Sequence, residues 1–240
     1  MSSIRFAFLA LEEHPYGREM LAQLVAAGHV PTVVVQERSA LADTEREKFL
    51  ERIQGHPIAE EICSIVAREG GRLESMPVHR SKPLVECFEG LGLDLIVLGG
   101  TRILRGPILR SARGGVVNSH PGLLPDCRGS ASPAWSVVHD IPVGATTHLC
   151  DSGIDTGDLL LRREFPVRRG MGYADLCHGT LVLAGTLMRE ALDAFAQGGW
   201  DSLRHPQGES PWPTFKNAPP DVLATVHRKL ADQTYAHYVD

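Results

Sequence analysis

The chain has 240 residues, 43% hydrophobic and 22% charged, the balance of a globular protein large enough to bury a sizeable core. A formal net charge of −5, with no long basic run, leaves no electrostatic footprint for a nucleic acid. The five cysteines, at 63, 87, 127, 150 and 177, form neither a CxxC nor a zinc-ligand spacing, so we expect reduced thiols in a cytoplasm and no metal.

"IRFAFLA" (4–10) is a nearly continuous apolar run, which predicts a strand buried on both faces. It is not read as a signal peptide, because Glu12, Glu13, His14 and Pro15 follow at once. No apolar stretch approaches the roughly 20 residues of a membrane helix, so no membrane partner is expected. "YGREMLAQLVAAG" (16–28) places Met20, Leu21, Leu24 and Val25 at helical spacing and stops on Gly28. "VPTVVVQE" (30–37) is a short β-branched strand, completing a β-α-β unit with parallel strands. Residues 43–69 read as helix, interrupted near 55–57. A weak strand (72–78), a helix (82–92) and the most hydrophobic strand, "LDLIVLGG" (93–100), follow. Then come a strand at 115–121, a helix at 132–140, and strands at 143–151 and 158–167 that we expect to add antiparallel. A long helix at 172–199 closes on a glycine pair.

This alternation implies an α/β, doubly wound, mostly parallel sheet with helices on both faces, in a domain spanning 1–204. Residues 205–240 change character: a proline-rich, non-periodic stretch holds Trp212 and Phe215, and a short helix follows. We expect this extension to pack on the domain as an ordered wrap.

In open α/β sheets ligands bind at the carboxyl ends of the strands. "LGGTRIL" and "NSHPGLLP" both stand at such ends, and Gly99 and Gly100 allow close backbone approach. There is no GxGxxG, GxxxxGK[ST] or GxSxG, so nicotinamide, P-loop and nucleophile-elbow chemistry are disfavoured. Asn118 and His120 are two apart and leave a strand by the same face, and Pro121 favours an extended His120. An amide donor beside an imidazole suits a developing oxyanion and a proton transfer near neutral pH. Asp155 sits in a Gly-Ile-Asp-Thr-Gly turn that can fix a carboxylate. Residue types alone also allow plain turn and capping roles for all three. His148 reads as an alternating strand position, and His14, His79, His139 and His178 have no evident partner.

"NSHPGLLPDCRG" (118–129), followed by "GIDTGD", resembles the signature of the folate-dependent formyltransferases, Asn-x-His-Pro-[Ser/Gly]-x-Leu-Pro-x-x-Arg-Gly and then Asp-[Thr/Gly/Ser]-Gly. "TRILRGPIL" (101–109) resembles the segment that precedes it, and the likeness is strongest over 93–167. The resemblance implies a Rossmann-like domain that moves a formyl group from 10-formyltetrahydrofolate to an amine, without a metal. It makes Asn118, His120 and Asp155 the catalytic trio. Asn118 and His120 would stabilise the oxyanion of a tetrahedral intermediate, with Asp155 assisting. It places the pterin against Arg102, Ile103, Leu104 and Leu109 and against the turn holding Asp151 and Gly153.

The chain departs from the pattern in two places. Gly122 replaces the usual serine after His-Pro, removing any hydrogen bond that serine makes, and Cys127 stands where a tyrosine is common. The acceptor must be argued separately. Glu12 and Glu13 follow the first strand where the glycinamide ribonucleotide enzymes carry a glycine-rich phosphate loop, and they would repel a phosphate. "DCRGSASPAW" is more similar to the methionyl-tRNA and amino-sugar members. The tRNA enzymes carry a further C-terminal domain for which few residues remain after the long helix. We therefore expect a small-molecule amine: an amino sugar, free or nucleotide-linked, an amino acid or a hydroxylamine. Glu12, Glu13 and Arg128, with Trp212 and Phe215, are the candidate acceptor-binding residues. A homodimer is left open. Two alternatives stand beside this. One is a hydrolase releasing formate from the same donor, disfavoured because such enzymes carry a domain before this one. The other is a non-catalytic folate- or nucleotide-binding module, disfavoured because all three trio residues are present.

Overall fold

The computed structural model describes residues 4–239. Five strands are parallel: β1 (Phe6–Leu11), β2 (Val33–Glu37), β3 (Leu73–Met76), β4 (Leu95–Leu98) and β5 (Val116–His120). Two more, β6 (Gly144–Leu149) and β7 (Leu159–Glu164), add antiparallel as their sequence predicts. The sheet order is β3-β2-β1-β4-β5-β6-β7. The chain thus winds outward in one direction from β1 and in the other from β4, which opens a crevice at their carboxyl ends.

Every residue of β1 is buried because both sheet faces are covered. Phe6, Phe8 and Ala10 join one core, Ala7 and Leu9 the other. The first core is closed by α1 (Pro15–Ala26), α3 (Ile62–Arg68) and the apolar stripe of α6 (Tyr173–Gly198), including Leu181, Ala184, Leu187 and Met188. The second is closed by Leu84 and Phe88 of α4 (Ser81–Phe88) and by a 3-10 turn at Gly106–Arg110 that carries Ile108. Each fully buried Leu or Phe contributes roughly 1.5–3 kcal/mol.

Local chemistry sets the boundaries. His14 caps α1 by accepting the Tyr16 N–H on Nδ1, and Ser39 caps α2 (Ala40–Arg52) by accepting that of Ala42. The helical pattern over 43–69 therefore becomes two helices, α2 and α3, with residues 53–61 between them. The helix predicted to reach 92 stops at Phe88, before Gly90 and Gly92 at φ of +74° and +57°. The 3-10 turn was not predicted. Among the described residues no helix is long and apolar enough to cross a membrane.

The extension runs along the domain. His205 exchanges backbone hydrogen bonds with Leu159, and Phe215 pairs with the segment 128–130 through Phe215 N–H to Arg128 O (2.9 Å) and Ser130 N–H to Phe215 O (3.0 Å). A Cβ on Gly129, at φ +98°, would stand 2.1 Å from the Phe215 carbonyl oxygen, so only glycine permits this approach. Trp135 of α5 (Ser132–His139) stacks on Phe215 at 4.9 Å and donates its indole N–H to Lys216 O at 2.7 Å. After α7 (Pro220–Ala231) the chain returns, with the Val239 N–H on Val167 O.

Candidate active site

A crevice of about 830 Å³ lies at the carboxyl ends of β1, β4 and β5. The strand period decides which side chains of β5 enter it. Val117 packs into the first core and the Ser119 hydroxyl reaches the Ala184 carbonyl at 2.8 Å, so Asn118 and His120 emerge on the crevice side. Asp155 comes from the turn after β6. Asp151 shapes that turn by accepting the Gly153 N–H (2.9 Å) and the Thr156 hydroxyl (2.6 Å), and Asp155 itself adopts a left-handed φ of +53°. Two of the three approach each other directly: His120 Nδ1 stands 3.5 Å from Asp155 Oδ2, and the Gly129 N–H donates to the same oxygen at 2.9 Å.

The partners fix the tautomers. His120 Nε2 lies 2.7 Å from the Cys127 carbonyl, which only accepts, so Nε2 carries the hydrogen and Nδ1 faces Asp155. A fourth group completes the cluster. His148, opposite Asn118 in the β5–β6 register, donates from Nδ1 to its neighbour's carbonyl, Leu149 O, at 2.9 Å. Its Nε2 lies 3.2 Å from the Asn118 amide nitrogen and 3.5 Å from Asp155 Oδ1. In the neutral ring Nε2 accepts one Asn118 N–H, leaving the second for the crevice; in the protonated ring Nε2–H faces the Asp155 carboxylate. Sequence reasoning missed His148. The signal that could have found it was the antiparallel pairing, which puts it across from Asn118.

Burial opposes the charge on Asp155. The His120 ring, the hydrogen bond and charge of His148 and the Gly129 N–H outweigh it, and together they hold the carboxyl far below the usual carboxylate range. Tyr16, whose hydroxyl donates to the Ser119 carbonyl, is pushed up by burial and then by the Asp155 charge, so it forms a neutral wall. Burial also pushes the Cys127 thiol up to about 11, making it an inert filler whose carbonyl matters more than its sulfur.

Among the residues expected to face the pterin, Arg102, Ile103, Leu104, Asp151 and Gly153 all line the crevice. Among the described residues, the backbone groups of Ile103 and Leu104 have no hydrogen-bond partner, which leaves them free to read a ligand's polar edge. The Arg102 guanidinium turns away onto the fully buried Glu37, Nε to Oε1 at 2.5 Å. Leu109 is a correction: the 3-10 turn directs it against the second core and out of the crevice.

The candidate acceptor residues need correction too. Glu12 pairs with Arg38 at 2.6 Å, and Glu13 accepts the N–H groups of Ile62 and Cys63 at the start of α3. Arg128 is spent on Gln207, and Trp212 leans on His139 at 4.4 Å. None of the four lines the crevice; Phe215 does. The crevice lining also includes His14, Leu41, Glu45, Ser130, Thr214, Lys216 and Asn217.

Gly122 also acquires a reason. A Cβ there would stand 2.7 Å from His120 Nε2 and 2.7 Å from Ser132 Cβ. A hydroxyl still reaches the histidine, since Ser132 Oγ lies 2.9 Å from Nε2. Gly122→Ser is therefore expected to push the His120 ring off the Cys127 carbonyl. Turnover should fall by about tenfold or more, as small displacements of a reacting group cost; wild-type kcat in this variant would refute the account.

The sequence profile of the formyl transferase family matches residues 5–192. The chain belongs to the formyl transferase family. It is similar to the methionyl-tRNA formyltransferase of Citrifermentans bemidjiense, 34% identical over 137 residues, 56% of this chain and 43% of the relative. The match thus spans less than half of that relative's length. Among solved structures it is similar to glycinamide ribonucleotide transformylase 1 from Symbiobacterium toebii, with a TM-score of 0.62 and 25% identity, covering 81% of this chain and 88% of the other. It shares its fold with the formyltransferase PseJ from Anoxybacillus kamchatkensis, solved in complex with UDP-4,6-dideoxy-4-formamido-L-AltNAc and tetrahydrofolate. There the TM-score is 0.55, with 18% identity over 94% of this chain and 97% of the other. In this formyl transferase the signature 118–129 forms one wall of the crevice and the 151–157 turn its rim.

Proposed function

We propose that this formyl transferase uses 10-formyltetrahydrofolate as donor and the amine of a small molecule as acceptor, with Asn118, His120 and Asp155 performing the transfer. The observation that carries the reading is the cluster these side chains form on the crevice wall, with Asp155 Oδ2 3.5 Å from His120 Nδ1 and Asn118 joined to Asp155 through His148. The crevice volume of about 830 Å³ suits a drug-sized molecule with part of a second. The free backbone groups of Ile103 and Leu104, with the half-exposed Ile103 side chain (56%) on the lip, suit a flat heteroaromatic ring.

When an amine attacks the formyl carbon, negative charge develops on the formyl oxygen; collapse then breaks the bond from that carbon to N10, and the proton lost by the amine is delivered to N10 as tetrahydrofolate leaves. The second Asn118 N–H supplies one donor for the formyl oxygen, and His120 supplies another when Nδ1 carries a hydrogen as well as Nε2. Asp155 orients the His120 ring and offers an anion beside it while the amine's proton is passed on. Among the side chains lining the crevice the Lys and Arg groups are Lys216 and Arg102, and Arg102 is engaged by Glu37. That supports an acceptor with at most one anionic group, such as an amino acid or an amino sugar.

The test is a panel of amino sugars, sugar nucleotides and amino acids offered with 10-formyltetrahydrofolate, followed by absorbance of released tetrahydrofolate. Turnover with one small amine, abolished in Asn118→Ala, is the expected result. Release of formate at an equal rate without any amine would overturn the transferase reading in favour of hydrolysis.

A further inference from the structure

We infer that Gln207, in the C-terminal extension, is a positioning residue for Asp155. The inference rests on the reading above that Asp155 works with His120. Gln207 sits outside the crevice and half-buried, yet its side-chain amide is completely used. Its nitrogen donates to two carbonyls, Asp155 O at 2.9 Å and Gly157 O at 2.6 Å. Its oxygen accepts twice from Arg128, at 2.8 Å from Nη2 and 3.2 Å from Nε. Carbonyls only accept and a guanidinium only donates, so the amide has one orientation and both donors and both lone pairs are satisfied.

The target of this clamp is unusual. Asp155 is a non-glycine residue held at φ +53°, a left-handed conformation that persists where the surroundings over-determine it. The carboxylate is held from one side by the Gly129 N–H, and Gly129 is itself pinned by Phe215. Gln207 holds the same turn from the other side, through the backbone of Asp155 and its second neighbour. The extension therefore grips both walls that bring Asp155 to His120: the signature segment through Arg128 and Phe215, the aspartate turn through Gln207. Loosening the amide leaves Asp155 free to relax from the left-handed conformation and widen its 3.5 Å separation from His120.

The experiment compares wild type, Asp155→Asn, Gln207→Leu and Gln207→Glu by long-range ¹H–¹⁵N spectra of the histidine rings, His120 being assigned by its loss in His120→Asn. 5-Formyltetrahydrofolate, which carries its formyl group on N5 in place of N10, serves as the binding probe. Leucine removes all four hydrogen bonds; glutamate keeps the Arg128 contact but turns an oxygen toward two carbonyls, so either variant suffices if the other folds poorly. The expected result is that both Gln207 variants move the His120 ring signals in the direction set by Asp155→Asn, by a third or more of its effect, while affinity for the probe stays within twofold. If Asp155→Asn moves the His120 signals and the Gln207 variants do not, the clamp is wrong and the trio stands. If the probe's affinity falls more than tenfold, Gln207 serves folate binding and the inference is overturned. If Asp155→Asn itself leaves His120 unchanged, the pairing of the two residues fails, and the functional reading with it.

Discussion

His120→Asn is expected to lower kcat by about 10²–10⁴-fold, the range for losing a group that handles both charge and proton. The argument is geometric. His120 is the last residue of β5, 4% exposed, with Nε2 committed to the Cys127 carbonyl at 2.7 Å, so only Nδ1 is left for chemistry. Asparagine at this position still fills part of the space and can donate to the same carbonyl, so the fold should survive. What it cannot supply is an imidazole nitrogen that can take up and give back a proton beside the Asp155 carboxylate. Asp155→Asn should give a loss of the same order, and the double variant little more than either single one, because the two act as one unit. The checks are steady-state kinetics with the acceptor identified by the amine panel, and calorimetric binding of 5-formyltetrahydrofolate, which should change less than threefold. A kcat within tenfold of wild type would remove His120 from the reaction.

The sequence made the frame of this site legible for a physical reason. Strands buried on both faces read as apolar runs, and helices with one covered face read as a 3.6-residue period, so β1, α1, β4 and α6 announce themselves. Asn118 and His120 were legible because the two-residue period of a strand puts them on one side, and Asp155 because a signature spacing linked it to them. The contacts that depend on chain segments distant in sequence were not. His148 looks like any strand histidine until β5 and β6 are paired, when it falls opposite Asn118. Glu12 and Glu13 look like an acidic wall after β1, but Arg38 and the backbone N–H groups of α3 claim them. Lys216 and Asn217 sit in a stretch with no periodicity, and they reach the crevice only because the Phe215 backbone pairs beside Gly129. Leu109 was lost to a 3-10 turn too short to have a period. Tertiary pairing, which local pattern does not encode, decided each of these.

A steep loss of stability between pH 6.5 and 4 is the second large effect expected. His14 and His79 are buried, at 8% and 4% exposure, and both have their pKa lowered from 6.5 to about 4. Burial is the main cause in each; the Arg52 charge adds to it at His14, whereas the Glu37 charge opposes it at His79. His79 donates Nε2–H to the Val35 carbonyl at 3.1 Å, and its Nδ1 is buried with no partner to accept a second proton's charge. A lowered folded value means that the unfolded chain binds protons first as pH falls. Stability is therefore fully present above about pH 6.5 and drains as pH drops toward 4, at up to about 1.4 kcal/mol per pH unit for each histidine. Over that window the two together withdraw roughly 5–7 kcal/mol, comparable with the whole stability of an ordinary domain. Asp155 works in a lower window: its carboxyl is held far below the usual range, so its contribution disappears only as pH falls beneath about 4. Urea unfolding at intervals between pH 7.5 and 4.5 should show the free energy falling with a slope near two protons. His14→Asn keeps an N-capping side chain for α1, and His79→Gln keeps an N–H donor for Val35. Each should remove its own share of that slope, and the double variant should keep only the smaller slope of His139 and His178, whose pKa burial also lowers. A wild-type slope in the double variant would place the acid sensitivity elsewhere and leave both histidines as ordinary core groups.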